Sequence, residues 1–218
     1  MAGLSAENQL RDGYNMRIVS NLAKRIRGVY SEFDEPGFCR GIKTELDALG
    51  FGERWRLICD ALTAHLPGDF TRSAQILMDS LEPELAAHPE KTSWDGFIVV
   101  PETEFVAEAG INHFDIAMDA LKEMTKRFSP ERAIRTFIDR YQEESLVLFR
   151  EWAADPNVHV RHLVSEEARP RLPLAAPLRS FKKDPTPILD LLELLKDDAE
   201  LYVRRSVANN LNDIPKDN

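Results

Sequence analysis

The sequence predicts an all-α fold, a stack of helix-turn-helix units, on three observations. Apolar residues recur at three- and four-residue steps through most of the chain, which places them along one stripe of a 3.6-residue helix. No stretch alternates with the period of a strand. One helical pair near the C-terminus recurs at a fixed offset.

The elements follow in order. Met16, Val19, Leu22, Ala23, Ile26, Val29 and Tyr30 form a first amphipathic stripe. Others follow at Phe38, Ile42, Leu46 and Leu49, at Trp55, Ile58, Leu62 and Leu66, and at Phe70, Ala74, Leu77 and Leu81. Breakers separate them: Phe33-Asp34-Glu35-Pro36-Gly37, Leu49-Gly50-Phe51-Gly52 and Leu66-Pro67-Gly68-Asp69. From Glu82 to Pro101 the helical period lapses; Pro83, Pro89, Pro101 and Trp94-Asp95-Gly96-Phe97 read as an irregular connection without a domain boundary. Helices resume at Phe105 to Ala109 and Phe114 to Met124. In Ser129-Pro130-Glu131-Arg132 a Ser cap, a first-turn Pro and an early acid then mark a helix start.

Leu146, Phe149, Trp152, Asp155, Val160, Arg161 and Val164 superpose on Leu189, Leu192, Leu195, Asp198, Val203, Arg204 and Val207, always at an offset of 43 residues. Each copy reads as an apolar helix, an Asp-containing turn and a second helix opening with Val-Arg. That is the unit of a HEAT array. Ala133-Ile134-Arg135 opens an earlier, degenerate copy. Between the two clear copies lies a proline-rich insertion, Arg169 to Pro177, which cannot be a helix interior. One HEAT-like repeat domain over residues 1–218 is expected.

Composition bounds the function. The chain is 43% hydrophobic, enough for a sizeable core. Nowhere do about 18 apolar residues run without charge, and the N-terminus lacks a signal-peptide pattern, so a cytoplasmic protein away from membranes is expected. A net charge of −9 argues against nucleic-acid binding by bulk cation excess. Any such contact must be local, and one basic cluster exists: Arg161, Arg169, Arg171, Arg179, Lys182 and Lys183, opposed by Glu166 and Glu167. An ordinary solvated face is the alternative. Cys39 and Cys59 read as buried thiols. His159 and His162 lack a third ligand, so neither metal nor cofactor is expected.

Val160-Arg161 through Ala168, RPRLPLAAPL from Arg169, DPTPILDLLELLKDD from Asp184 and YVRRSVANNLNDIPKD from Tyr202 together resemble the AlkC branch of the DNA alkylation-repair glycosylases. Weaker echoes, among them FDEPGF, SWDGFIVVPETEFV and ERAIRTFI, extend the resemblance over nearly the whole chain. It implies a curved α-superhelix whose concave face grips damaged duplex DNA. It also implies base excision repair by a glycosylase acting on 3-methyladenine, 3-methylcytosine and 1-methyladenine. The catalytic acids carried over by motif are Glu131, Glu166 and Asp213. Two departures stand out: Leu174 replaces the tryptophan of RPRLPW, and Glu167 or Ala168 replaces a glycine beside the insertion. An indole facing a cationic base would contribute about 1–2 kcal/mol of cation-π attraction that leucine lacks. Larger members carry an immunoglobulin-like tail, which is not expected here.

The chemistry suits these residue types. A base alkylated on a ring nitrogen is cationic and leaves without protonation; one carboxylate can stabilise charge on the sugar and another can orient or deprotonate water. Asp213 is assigned the first role and Glu131 or Glu166 the second. Each acid has a bland alternative, as helix-dipole partner for Glu131 or as ion pair with Arg169 and Lys216 for Glu166 and Asp213. Arg161, Arg169, Arg171, Arg204 and Arg205 are candidate phosphate ligands, with Asn209 and Asn210 alongside and Leu174 facing the lesion. Arg161 and Arg204, equivalent in the repeat, serve equally well as inter-repeat ion-pair residues. A monomer that hydrolyses the N-glycosidic bond of alkylated double-stranded DNA, without strand cleavage, is the leading expectation. A HEAT-like module that reads lesions or binds protein without catalysis is the alternative.

Overall fold

The structure, a computed structural model, describes residues 13–86, 99–128, 131–173 and 175–216, the side chain of Glu131 excepted. These contain twelve α-helices and two 3₁₀ turns and no strand. None of the described helices is long and apolar enough to cross a membrane. The chain divides into two compact units, Met1–Leu85 with Pro89–Phe128 and Ala86–His88 with Ser129–Asn218.

The first unit holds α1 (Met16–Val29), α2 (Glu35–Glu45), a 3₁₀ turn (Leu46–Ala48), α3 (Phe51–His65), α4 (Phe70–Asp79), α5 (Val99–Ala109) and α6 (Phe114–Thr125). Polar side chains start three of them: Asn15 accepts from the amides of Arg17 and Ile18, Asp34 from Gly37 and Asp69 from Arg72. The apolar stripes point inward, with Leu22, Ile26, Phe38, Ile42, Ile58, Leu62, Ala74 and Leu77 fully buried. Val29, expected on the first stripe, is exposed because α1 ends there. Helix α5 begins at Val99, earlier than the lapse in periodicity suggests. Pro101 is tolerated because first-turn amides have no intrahelical acceptor to lose. This helix buries Glu102, whose Oε2 takes a 3.3 Å bond from Arg25. Burial pushes the Glu102 carboxyl upward against that cation's pull.

The second unit holds α7 (Glu131–Arg140), α8 (Gln142–Trp152), α9 (Val158–Glu167), α10 (Arg179–Lys183), α11 (Thr186–Leu195), α12 (Leu201–Asp213) and a closing 3₁₀ turn (Ile214–Lys216). Here the sequence repeat becomes a repeat of geometry. Helix α8 packs against α11 and α9 against α12, with Val160, Val164, Val203 and Val207 between them. The Asp turns match bond for bond: Asp155 Oδ1 accepts from the Asn157 amide and Asp198 Oδ1 from the Glu200 amide, both at 2.8 Å. Arg161 Nη1 donates to the carbonyls of Asp155 and Pro156, and Arg204 Nη1 to those of Asp198 and Ala199. Each Val-Arg pair thus buries its valine and folds its arginine back over the turn.

Arg135 departs from that pattern. It lies inside α7, is 4% exposed, and reaches across to the end of α9 and the proline-rich insertion. Its guanidinium donates to the carbonyls of Glu167 (2.8 Å), Arg169 (2.9 Å) and Ala176 (3.1 and 2.8 Å). Pro170 and Pro177 cannot donate main-chain hydrogen bonds, so this side chain supplies donors that the insertion lacks. Arg135→Met should strand these three carbonyls and lower the unfolding free energy by roughly 2–4 kcal/mol in urea denaturation. A change below about 0.5 kcal/mol would mean that the insertion is held by other contacts.

Candidate catalytic carboxylate site

Helices α9 and α12 face each other along two polar stripes. On α9 and its C-terminal extension stand His162, Glu166 and Arg169; on α12 stand Tyr202, Ser206, Asn210 and Asp213, spaced as one helical face requires. They meet as rungs. His162 stacks on Tyr202 with ring centres 3.7 Å apart and planes 6° from parallel. Ser206 Oγ donates to Glu166 Oε2 at 2.6 Å, and Asn210 Nδ2 to the Ser165 carbonyl at 2.8 Å. At the far end Arg169 donates from Nε to Asp213 Oδ2 at 2.7 Å and from Nη1 to Glu166 Oε1 at 2.5 Å. Lys216 Nζ donates to Asp213 Oδ1 at 2.7 Å. Local structure places Arg169: its amide bonds to the Glu166 carbonyl at 3.2 Å, so the first residue of the insertion still turns with the helix it leaves.

Asp213 is 2% exposed. Burial alone would raise its carboxyl, but the hydrogen bonds and charges of Arg169 and Lys216 together outweigh it and hold the group below its usual 3.8. His162 is driven the other way, down to about 3, first by burial and then by His159 and Arg169. At neutral pH it is an uncharged stacking partner, although its Nε2 lies 4.0 Å from Glu166. Two carboxylates therefore face one half-buried guanidinium and one ammonium. The four charges cancel, and what the arrangement fixes is the position of carboxylate oxygens in a poorly solvated place, where a developing cation can be met.

No family model matches the chain. The Bacillus subtilis protein YhaZ is 34% identical over 208 residues, which is 95% of this chain and 56% of YhaZ. A solved structure of Pseudomonas fluorescens alkylpurine DNA glycosylase AlkC, bound to DNA containing an abasic-site analogue, is 36% identical. It aligns with a TM-score of 0.83 over 95% of this chain and 55% of its own. The chain is similar to AlkC in sequence and in fold. It spans little more than half the length of either relative.

Of the motif-derived acids, the fold brings two of three to one guanidinium. The third, Glu131, opens α7, and its side chain lies outside the described residues, as does Leu174. Arg169 faces inward onto the acids. Arg161 bonds Asp198 across the repeat (2.6 and 3.2 Å), and Arg204 is bent back on its own turn. Asn210, expected beside the phosphates, is fully buried and donates from Nδ2 to the Ser165 carbonyl. Arg171, Arg205 and Asn209 are exposed. Ser206 and Tyr202 were missed in the sequence, though both lie on the Asp213 stripe of α12, and that stripe was the available signal. The pairing of Arg169 with Asp213, 44 residues apart, had none.

Because the folded-state value of Asp213 lies below its unfolded one, the ionised group contributes stability above the unfolded value and loses it as pH falls through the folded value. Asp213→Asn should be less stable than wild type by about 1–3 kcal/mol at neutral pH. The difference should shrink as pH drops from about 5 to about 3. A gap that stays constant across this range would show that the charge of Asp213 does not carry its contribution.

Proposed function

We propose that this chain is a monofunctional DNA glycosylase that excises cationic alkylated bases from duplex DNA. The observation that carries the reading is Asp213, buried, held ionised and braced by the guanidinium that also holds Glu166, in a chain 36% identical to AlkC. In 3-methyladenine, 3-methylcytosine and 1-methyladenine the ring already carries positive charge. The C1′–N bond therefore breaks with its electron pair going to the base, which departs neutral without a general acid. Positive charge then grows on the deoxyribose, where the Asp213 carboxylate stabilises it. Water adds to C1′ and gives up a proton, leaving an abasic site. Glu166 has one oxygen on Arg169 and the other on Ser206, which suits a brace better than a proton acceptor. This leaves the water to Glu131, the third acid of the motif set.

DNA would be held by exposed cations. Arg171 leads from the insertion and Arg205 from the outer side of α12, with Asn209 nearby. Phosphate contacts of this kind set position and leave specificity to the lesion. Arg205→Ala should weaken binding to damaged and undamaged duplex alike and reduce the slope of log K against log salt by about 0.9. An unchanged slope would remove Arg205 from the interface.

The reading is tested by single-turnover release of 3-methyladenine from methylated duplex DNA. Wild type should release the base, and Asp213→Asn should do so about 10²–10³-fold more slowly with affinity for undamaged duplex retained. Lesion-selective binding without release by wild type would make the chain a lesion reader, in which Leu174 in place of tryptophan has removed catalysis.

A further inference from the structure

The four carboxylate oxygens of Glu166 and Asp213 are not equally committed. Glu166 Oε1 and Asp213 Oδ2 are held by Arg169, whose side chain is 11% exposed, and Glu166 Oε2 by the buried Ser206 hydroxyl. Asp213 Oδ1 differs, because its donor is Lys216, whose side chain is 57% exposed. The two cations also differ in what they hold together. Arg169 ties α9 to α12, so its release would separate packed helices. Lys216 sits one turn beyond Asp213 on the 3₁₀ extension of α12, and this contact fastens no second element.

We infer that Lys216 is a placeholder on Asp213 Oδ1, surrendering that oxygen to the cationic base when a lesion enters while Arg169 stays in place. The inference rests on the glycosylase reading and names how its site selects charge. The exchange conserves charge: an ammonium leaves as a monocationic base arrives, so the buried carboxylate is never left without a partner. Solvation favours it. An ammonium is a compact, strongly hydrated ion that recovers its water shell on release. An alkylated purine or pyrimidine spreads its charge over a flat ring and gives up less hydration on entry. A neutral base brings Oδ1 no charge to replace the ammonium and leaves Lys216 where it is, so the lysine acts as a specificity-determining residue that an uncharged base does not displace.

The test compares Lys216→Met, which keeps the stem and loses the charge, with Lys216→Arg, which keeps the charge. Affinities are measured at one salt concentration for a duplex with a single 1-methyladenine and for the same undamaged duplex. Circular dichroism and melting establish that each variant is folded. Removing the competitor should raise the lesion-to-undamaged affinity ratio about two- to fivefold in Lys216→Met, the range an exposed ion pair commands. Lys216→Arg should show no rise. A ratio unmoved or lowered in Lys216→Met, with wild type discriminating, would overturn the exchange and leave the glycosylase reading intact. Failure of wild type itself to distinguish the two duplexes would overturn both.

Discussion

Two ionised carboxylates held close together away from water need cations beside them, and the fold meets that constraint with Lys216 on the outer oxygen of Asp213 and chiefly with the guanidinium of Arg169. Its planar fork spans Glu166 from its own helix and Asp213 from the next repeat, a geometry that a lysine cannot reproduce. Much else follows from the need to hold that fork still. Helix α9 must run far enough to carry Arg169 with it, α12 must pack in register so that Asp213 arrives opposite, and the chain must then leave α9 without unwinding its end. Arg135 secures the last of these by bonding the carbonyls of Glu167 and Arg169 and the far side of the insertion. A residue in α7 therefore acts on the acids at second hand, through the backbone that bears their clamp.

The same repeat provides both frame and site, yet it uses its polar positions differently in its two copies. Arg161 and Arg204 do equivalent framing work on equivalent turns, whereas at the helix ends the copies diverge. Glu166 corresponds by the 43-residue offset to Asn209, and Glu167 to Asn210. An acid is placed where the Arg169 fork can meet it. Amides stand at the corresponding positions of the second copy, and its own acid, Asp213, comes one turn later. The Glu166–Arg169–Asp213 cluster thus has no counterpart by the repeat offset.

Much of this was legible in sequence because it is local. Periodicity located the helices, the fixed offset gave the repeat, and the run of prolines marked the insertion; all depend on residues a few positions apart. Motif likeness pointed to Glu166 and Asp213. What stayed hidden depends on tertiary register. That the Arg169 fork also reaches Asp213, that Arg135 serves the insertion and that Asn210 is buried are all decided by which helix lies opposite, whereas the ion pair of Arg169 with Glu166 and an inter-repeat pair for Arg161 were among the readings the sequence left open. A one-dimensional reading sees six cations in one stretch and takes them for a surface. Start of α5 at Val99 was missed for a different reason, since a first-turn proline looks like a breaker when the helix after it is not yet known.

The inward turn of these arginines bears on the proposed action of an acidic chain on DNA. With Arg135, Arg161, Arg169 and Arg204 engaged on carbonyls and carboxylates, the exposed cations of this unit include Arg171, Arg179, Lys183 and Arg205. On the proposed glycosylase reading, the arginines turned inward are lost to phosphate binding, which lowers the affinity for undamaged duplex. Residence on normal DNA would then stay short. Selectivity would rest on a positive charge on the base, which a buried carboxylate can read at short range where water does not screen it.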